Sequence, residues 1–146
     1  MRLGVPGADQ TGALLQVMRS LGNTLRSERG RWILQRRREA RSEWGLEGLI
    51  GDQLVSGTVD RTFRDAEGRL WIIDFKTSQH EGAGLQSFLK REEARYRPQL
   101  QNYATLISRM QAGPICLGLY FPLLDAWREW EFAEEKAATP AHYTGE

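Results

Sequence analysis

The sequence predicts a mixed α/β fold, and three observations carry that prediction. Apolar residues recur at helical spacing through the N-terminal part, as far as about Arg41. Three segments of strand character follow between Leu46 and Lys76, the second of them rich in β-branched residues, separated by turn signals. A second helical stripe then precedes two more strand patterns. The resulting order of helix, helix, three strands, helix and two strands describes an antiparallel meander joined by a crossover helix to the rest of a mixed sheet.

From Ala13, the residues Leu14, Leu15, Val17, Met18 and Leu21 mark a first helix, which Gly22-Asn23 ends or interrupts. Ser27 can cap a second helix, with Glu28 near its positive end. This helix is expected to run to about Arg41 and to bury Trp32, Ile33 and Leu34. Leu46 to Ile50 reads as a short strand, Gly51-Asp52 as a tight turn, and Leu54 to Phe63 as a longer strand. Asp65-Ala66-Glu67-Gly68 is a turn signal before a third strand, Leu70 to Lys76.

Ser78 to about Arg91 reads as a loop, with one helical turn near Leu85–Leu89. A helix is expected from about Glu92 to Gln111, with Tyr96, Leu100, Tyr103 and Ile107 on one stripe; Pro98 in its early turns either distorts the first turn or moves the regular start to about Arg97. Gly113-Pro114 stops it. Ile115 to Phe121 has the composition of a strand buried on both faces. Trp127 to Phe132 alternates like an edge strand, with Trp127, Glu129 and Glu131 on one side and Arg128, Trp130 and Phe132 on the other.

At 146 residues the chain has room for one domain with a substantial core, and a formal net charge of +1 selects no partner. Arg26, Arg29, Arg31, Arg36, Arg37, Arg38 and Arg41 crowd one segment. They suit phosphate binding and equally a solvated helix face among Glu28, Glu39 and Glu43. Cys116 is the only cysteine, so an intrachain disulfide and a multi-cysteine metal site are excluded, and its apolar neighbours predict a buried thiol. No apolar run is long enough for a membrane span and no signal-peptide pattern opens the chain, so a cytoplasmic location is the expectation.

The chemistry lies in the hairpin from Gly57 to Lys76. Alternation puts Asp74 and Lys76 on one side of their strand, with Trp71, Ile73 and Phe75 on the other. A three-residue loop, Ala66-Glu67-Gly68, with Gly68 left-handed would pair Asp65 with Arg69, Phe63 with Trp71 and Val59 with Phe75. Asp60 would then stand opposite Asp74, and Val59, Phe63, Trp71, Ile73 and Phe75 would share an apolar face. A two-residue loop would put the carboxylates on opposite faces.

Opposed carboxylates repel, and the repulsion is relieved by a proton, by a cation or by Lys76. Two aspartates and a main-chain carbonyl form a hard oxygen site for Mg²⁺ or Mn²⁺, able to polarise a phosphodiester. Lys76 can orient or deprotonate a water or neutralise developing charge. An ordinary surface hairpin with an Asp–Lys ion pair has the same residues.

Gly57-Thr58-Val59-Asp60-Arg61, Trp71-Ile72-Ile73-Asp74-Phe75-Lys76-Thr77 and Gln99-Leu100-Gln101-Asn102-Tyr103 together resemble the RecB/AddA-type nuclease domain of the PD-(D/E)XK superfamily. The resemblance covers roughly Ser27 to Phe132 and implies a restriction-endonuclease-like fold, a mixed central sheet flanked by helices. It divides the chain into a lead-in and helix (1–26), a nuclease domain (27–132) and a polar tail (133–146).

The resemblance also implies that Asp60, Asp74 and the Phe75 carbonyl bind Mg²⁺ or Mn²⁺, that Lys76 is catalytic, and that Gln99 and Tyr103 support the site. Their four-residue spacing places both on one helix face; a core tyrosine and an exposed glutamine would fit the same pattern. Glu43, expected at the end of the second helix, is a possible supporting group or a plain surface glutamate. The implied substrate is DNA, processed at double-strand ends in recombinational repair together with a helicase domain or subunit, fused or separate.

Two departures stand out. Such domains usually draw a histidine ligand from an upstream helix, whereas His80 and His142 both follow the aspartates. A GxxxxGK[ST] loop is also missing, so the helicase motor is not in this sequence. A catalytically weak or inactive DNA- or partner-binding remnant, using Arg31, Arg37 and their neighbours, is the alternative expectation.

Overall fold

The computed structural model describes residues 18–80 and 82–133. The expectations for the lead-in, the start of the first helix, His142 and the tail from residue 134 fall outside the described residues. Helix α1 is described over 18–26 and is followed by α2 (Glu28–Leu34). Strands β1 (Arg41–Ile50), β2 (Gln53–Arg64) and β3 (Leu70–Phe75) form the meander. Helix α3 (Leu85–Ser108) crosses over to β4 (Ile115–Phe121), and β5 (Ala126–Glu131) completes the sheet. The five strands lie in sequence order, antiparallel except where β3 pairs with β4. A parallel pair needs a long crossover, and α3 supplies it.

Alternation along the two central strands builds two cores. Leu70 and Ile72 of β3 and Leu117, Leu119 and Phe121 of β4 pack with Leu100, Tyr103 and Ile107 of α3. Trp71, Ile73, Cys116 and Tyr120 point the other way, onto Ile33 of α2 and Phe63 of β2. Strand β4 is buried along its whole length, as its apolar run predicts. Trp127 joins the α2-side core and Trp130 the α3-side core, the alternation expected of the edge strand β5.

Several boundaries differ from the sequence expectation for identifiable reasons. Gly22-Asn23 does not end α1, which continues to residue 26. Ser27 does cap α2, its hydroxyl accepting from the Gly30 amide at 3.2 Å. That helix stops at Leu34 rather than Arg41, and the Arg61 guanidinium takes the carbonyls of Ile33 at 3.1 Å and Gln35 at 3.0 Å. The chain then enters β1 at Arg41, five residues before the predicted start. Glu43 is therefore a β1 residue, exposed and with φ of 51°, and not the end of a helix.

Helix α3 begins at Leu85 instead of Glu92, after Gly84 with φ of 86°, and runs through Pro98 to Ser108. The loop predicted to reach Arg91 is correspondingly shorter.

Candidate active site

The hairpin turn holds three residues. Gly68 has φ of 82°, its amide donates to the Asp65 carbonyl at 3.0 Å, and the Asp65 amide donates to the Arg69 carbonyl at 3.0 Å. The Asp65 carboxylate locks this geometry. It accepts from the amides of Glu67 and Arg69, from the Arg69 guanidinium at 2.8 Å and from the Trp71 indole at 2.9 Å. Burial pushes Asp65 up, but these donors outweigh it and hold its pKa down at about 2.

The register that follows pairs Phe63 with Trp71 and Arg61 with Ile73. One step further, Asp60 comes beside Asp74. Its Oδ2 accepts the Phe75 amide at 2.8 Å, so the side chain of β2 closes the ladder where main-chain pairing stops. Val59 departs from the expected face: it packs with Leu46, Leu100 and Tyr103 beneath α3, apart from Phe63 and Trp71. The β1–β2 ladder skips the Glu43–Asp60 position, where Glu43 is left-handed, and the face of β2 changes across Asp60 with the register unaltered. Strand alternation cannot be carried through such a step.

The two carboxylates share a partly dry space. Asp74 is buried, and Lys76 Nζ stands 3.2 Å from its Oδ2. The Asp60 carboxyl is pushed up to about 6, chiefly by burial; the Phe75 amide opposes the shift, and the charge and hydrogen bond of Asp74 add to it. A proton shared by paired carboxylates is one solution to their repulsion, and a cation is another. The donor set therefore fits a hard divalent ion. Asp60 and Asp74 would hold it together with the Phe75 carbonyl; among the described residues no cluster of three or more His, Cys, Asp or Glu side chains is present.

Helix α3 closes the site. Gln99 Nε2 donates to the Tyr103 hydroxyl at 2.9 Å, so the predicted one-face pair is a direct contact. Tyr103 is buried, and its phenol is pushed up by burial, with the Gln99 hydrogen bond opposing and the negative charges of Asp74 and Asp60 adding to the rise. It stays a neutral hydroxyl beside the carboxylates.

Three further groups escaped the sequence reading. A β-carbon on Gly57 would lie 2.0 Å from the Tyr103 oxygen, so the bare backbone of β2 is the seat of that hydroxyl. Tyr96 places its ring under Lys76, with the ammonium 3.7 Å from the centroid. The buried Glu92 accepts from Ser78 at 2.9 Å and ties the loop after Lys76 to α3. A glycine beside a motif aspartate was the only available signal for the first; the stripe position of Tyr96 read simply as core.

The remaining candidates lie apart from this group in their contacts. Arg37 sits 3.8 Å over the Phe63 ring, Arg29 lies over Trp32 and Trp127, and Arg31 donates to the carbonyls of Leu25 and Arg26. Arg29 and Arg37 are thus spent on covering the α2-side aromatics. Cys116 is a buried free thiol. His80 stacks on Phe88 at 4.8 Å and contacts the Ala83 carbonyl.

Comparison with known proteins adds one decisive finding. The family model of the PD-(D/E)XK nuclease superfamily matches residues 6–143. Among solved structures, the crystal structure of SSO0001 is similar, with 22% identity and a TM-score of 0.42. The alignment covers 87% of this chain and 52% of that one, so this chain spans about half the length of that structure. No curated protein matches.

Proposed function

The chain belongs to the PD-(D/E)XK nuclease superfamily, and from that premise we propose that it is a metal-dependent deoxyribonuclease domain acting on DNA ends in double-strand break repair or recombination. Its mixed five-stranded sheet with helices agrees with the restriction-endonuclease-like α/β fold of that superfamily. Members of the superfamily are generally metal-dependent nucleases. The RecB/AddA-like placement, with a helicase domain or subunit as partner, rests on the three motifs that end in Gln99 and Tyr103 and belongs to this reading, as does the cytoplasmic setting expected from the sequence. Among the described residues, no helix is long and apolar enough to cross a membrane.

The observation that carries the proposal is the junction of β2 and β3. Asp60 Oδ2 is held by the Phe75 amide at 2.8 Å, and Lys76 Nζ stands 3.2 Å from Asp74 Oδ2. Asp60, Asp74 and the Phe75 carbonyl would hold Mg²⁺ or Mn²⁺, and the bound ion supplies the Lewis acidity that polarises a phosphodiester.

This chain's own residues do the rest. Asp60, raised to about 6, is ionised above that pH and would then be available as an oxygen ligand. Lys76, confined beside Asp74, orients the attacking water and offsets charge developing on the phosphate oxygens. Gln99 fixes the Tyr103 hydroxyl, which keeps its proton near the negative charge of the acidic pair.

The second reading, a weak or inactive DNA- or partner-binding remnant, is favoured by the donor set. Both histidines of the chain follow the aspartates, leaving no counterpart for an upstream histidine ligand.

Incubating the purified chain with linear single- and double-stranded DNA in Mg²⁺, Mn²⁺ or EDTA, beside Asp74→Ala, separates the readings. Metal-dependent cleavage that falls by at least about a hundredfold in the variant is the expected result. DNA binding without cleavage favours the remnant, and cleavage that survives Asp74→Ala refutes the assigned site.

A further inference from the structure

We propose that Tyr96 is a positioning residue for Lys76, its ring face holding the ammonium beside the Asp74 carboxylate. The inference rests on the reading of Lys76 as part of the nuclease site. Lys76 lies just beyond the end of β3, where the strand no longer dictates the direction of its long side chain. Two contacts fix it. Its Nζ is 3.2 Å from Asp74 Oδ2 and 3.7 Å from the centre of the Tyr96 ring. The side chain is only 17% exposed, so the ammonium has exchanged much of its water for a carboxylate and a π face.

A lysine with one carboxylate partner can swing about that contact, since an ammonium is a point charge on a flexible stem. The ring opposes the swing by giving the cation a second attractive wall.

Arg95 approaches the same ring at 5.1 Å, but its side chain is 69% exposed and the distance is longer. Lys76 is therefore the cation whose position depends on the ring. Tyr96 lies one helical turn from Leu100 and Gln99, so the helix that carries the Gln99–Tyr103 pair also carries the wall for Lys76. A purely structural tyrosine would fill the same half-buried place against the α3-side core. The two roles differ in what a leucine can replace: leucine restores apolar bulk but offers no π face.

The test compares wild type with Tyr96→Phe and Tyr96→Leu. NMR with lysine labelled at Cε is simple to read, because the chain contains only Lys76, Lys90 and Lys136. The Lys76 ε-protons are expected upfield of those of the exposed Lys90, in wild type and in Tyr96→Phe alike, through the ring current. In Tyr96→Leu they should move to the Lys90 position. Metal-dependent cleavage should stay within about twofold in Tyr96→Phe and drop roughly tenfold in kcat, with little change in KM, in Tyr96→Leu.

Unshifted Lys76 protons in wild type, or a position unchanged by Tyr96→Leu, overturn the inference. So does equal activity of the two variants when both are folded by melting temperature. A wild type that shows the upfield shift but no cleavage refutes the nuclease reading instead, which keeps the two failures apart.

Discussion

Gly57 and Tyr103 show how one missing side chain makes room for a hydroxyl near the acidic pair. The hydroxyl of Tyr103 occupies the place of a β-carbon at Gly57, at 2.0 Å. Gly57→Ala must therefore displace the ring or the strand, at an expected cost of about 1–3 kcal/mol, and with it much of the cleavage activity. Gly45→Ala, where nothing lies within 4 Å, is the control expected to change little. In a Tyr103→Phe background the penalty of Gly57→Ala should shrink, because the clashing oxygen is gone. Chemical denaturation of the four proteins measures this coupling; an undiminished penalty means that the hydroxyl is not what requires the glycine, leaving the ring carbons and the backbone. Asp65 acts at the same scale but on stability. Its carboxylate accepts four hydrogen bonds, two of them from Arg69, and Asp65→Asn should cost about 2 kcal/mol. A folded-state pKa of about 2, below that of an unfolded aspartate, means that its contribution is complete above the unfolded value. It is lost as pH falls through about 2, so the variant and wild type should converge in stability on strong acidification.

Helix α3 runs unbroken through Pro98, which its start at Leu85 moves from the expected early turns to mid-helix. Proline has no amide to donate, so the carbonyl of Ala94 loses its partner in mid-helix, an arrangement that costs about 3 kcal/mol in an ordinary helix interior. The helix persists because Leu89, Leu100, Tyr103, Ala104, Leu106 and Ile107 are buried on either side of the break. Pro98→Ala should raise stability by about 1–3 kcal/mol and shift the thermal midpoint upward by several degrees; an unchanged midpoint would show that the packed helix has already relieved the strain. The same contest explains what the sequence could and could not reveal. Strand β4 was legible because it is apolar on both faces, and the turn at Gly68 because its chemistry is local. The start of β1 was not, because Arg41, Ser42 and Glu43 are exposed on an edge strand and leave no alternation to read. The end of α2 was hidden because Arg61, more than 20 residues away, takes its carbonyls. The Asp60–Asp74 juxtaposition was legible through the turn, whereas the face of Val59 was not, since a left-handed Glu43 lies outside any pattern of apolar residues.

For the molecule as a whole, the site lies where the sheet divides. Strand β2 pairs with β3 only from Arg61 to Arg64, then continues back to Gln53 against β1 alone. Asp60 sits at that fork and is held there by the Phe75 amide, so the acidic pair joins β2 to β3 and its charge is felt in global stability. Without a cation, the raised pKa of Asp60 makes the folded state retain a proton up to about pH 6, while the unfolded chain releases it near the ordinary value of 3.8. The folded state is therefore favoured on the acid side of this interval, and that contribution is lost as pH rises through about 6. On the proposed reading a divalent ion would reverse the trend, because it would bind the ionised carboxylates and would have to displace the proton below about pH 6. Adding Mg²⁺ or Mn²⁺ should raise the thermal midpoint at pH 8 and raise it much less at pH 5. A site filled at a hundred times its dissociation constant adds about 2.7 kcal/mol, enough for a shift of several degrees. EDTA should abolish the shift, and Asp60→Asn and Asp74→Asn should each remove most of it. An equal shift in wild type and both variants would place the ion elsewhere on the protein and remove the physical basis for assigning Asp60 and Asp74 to one metal.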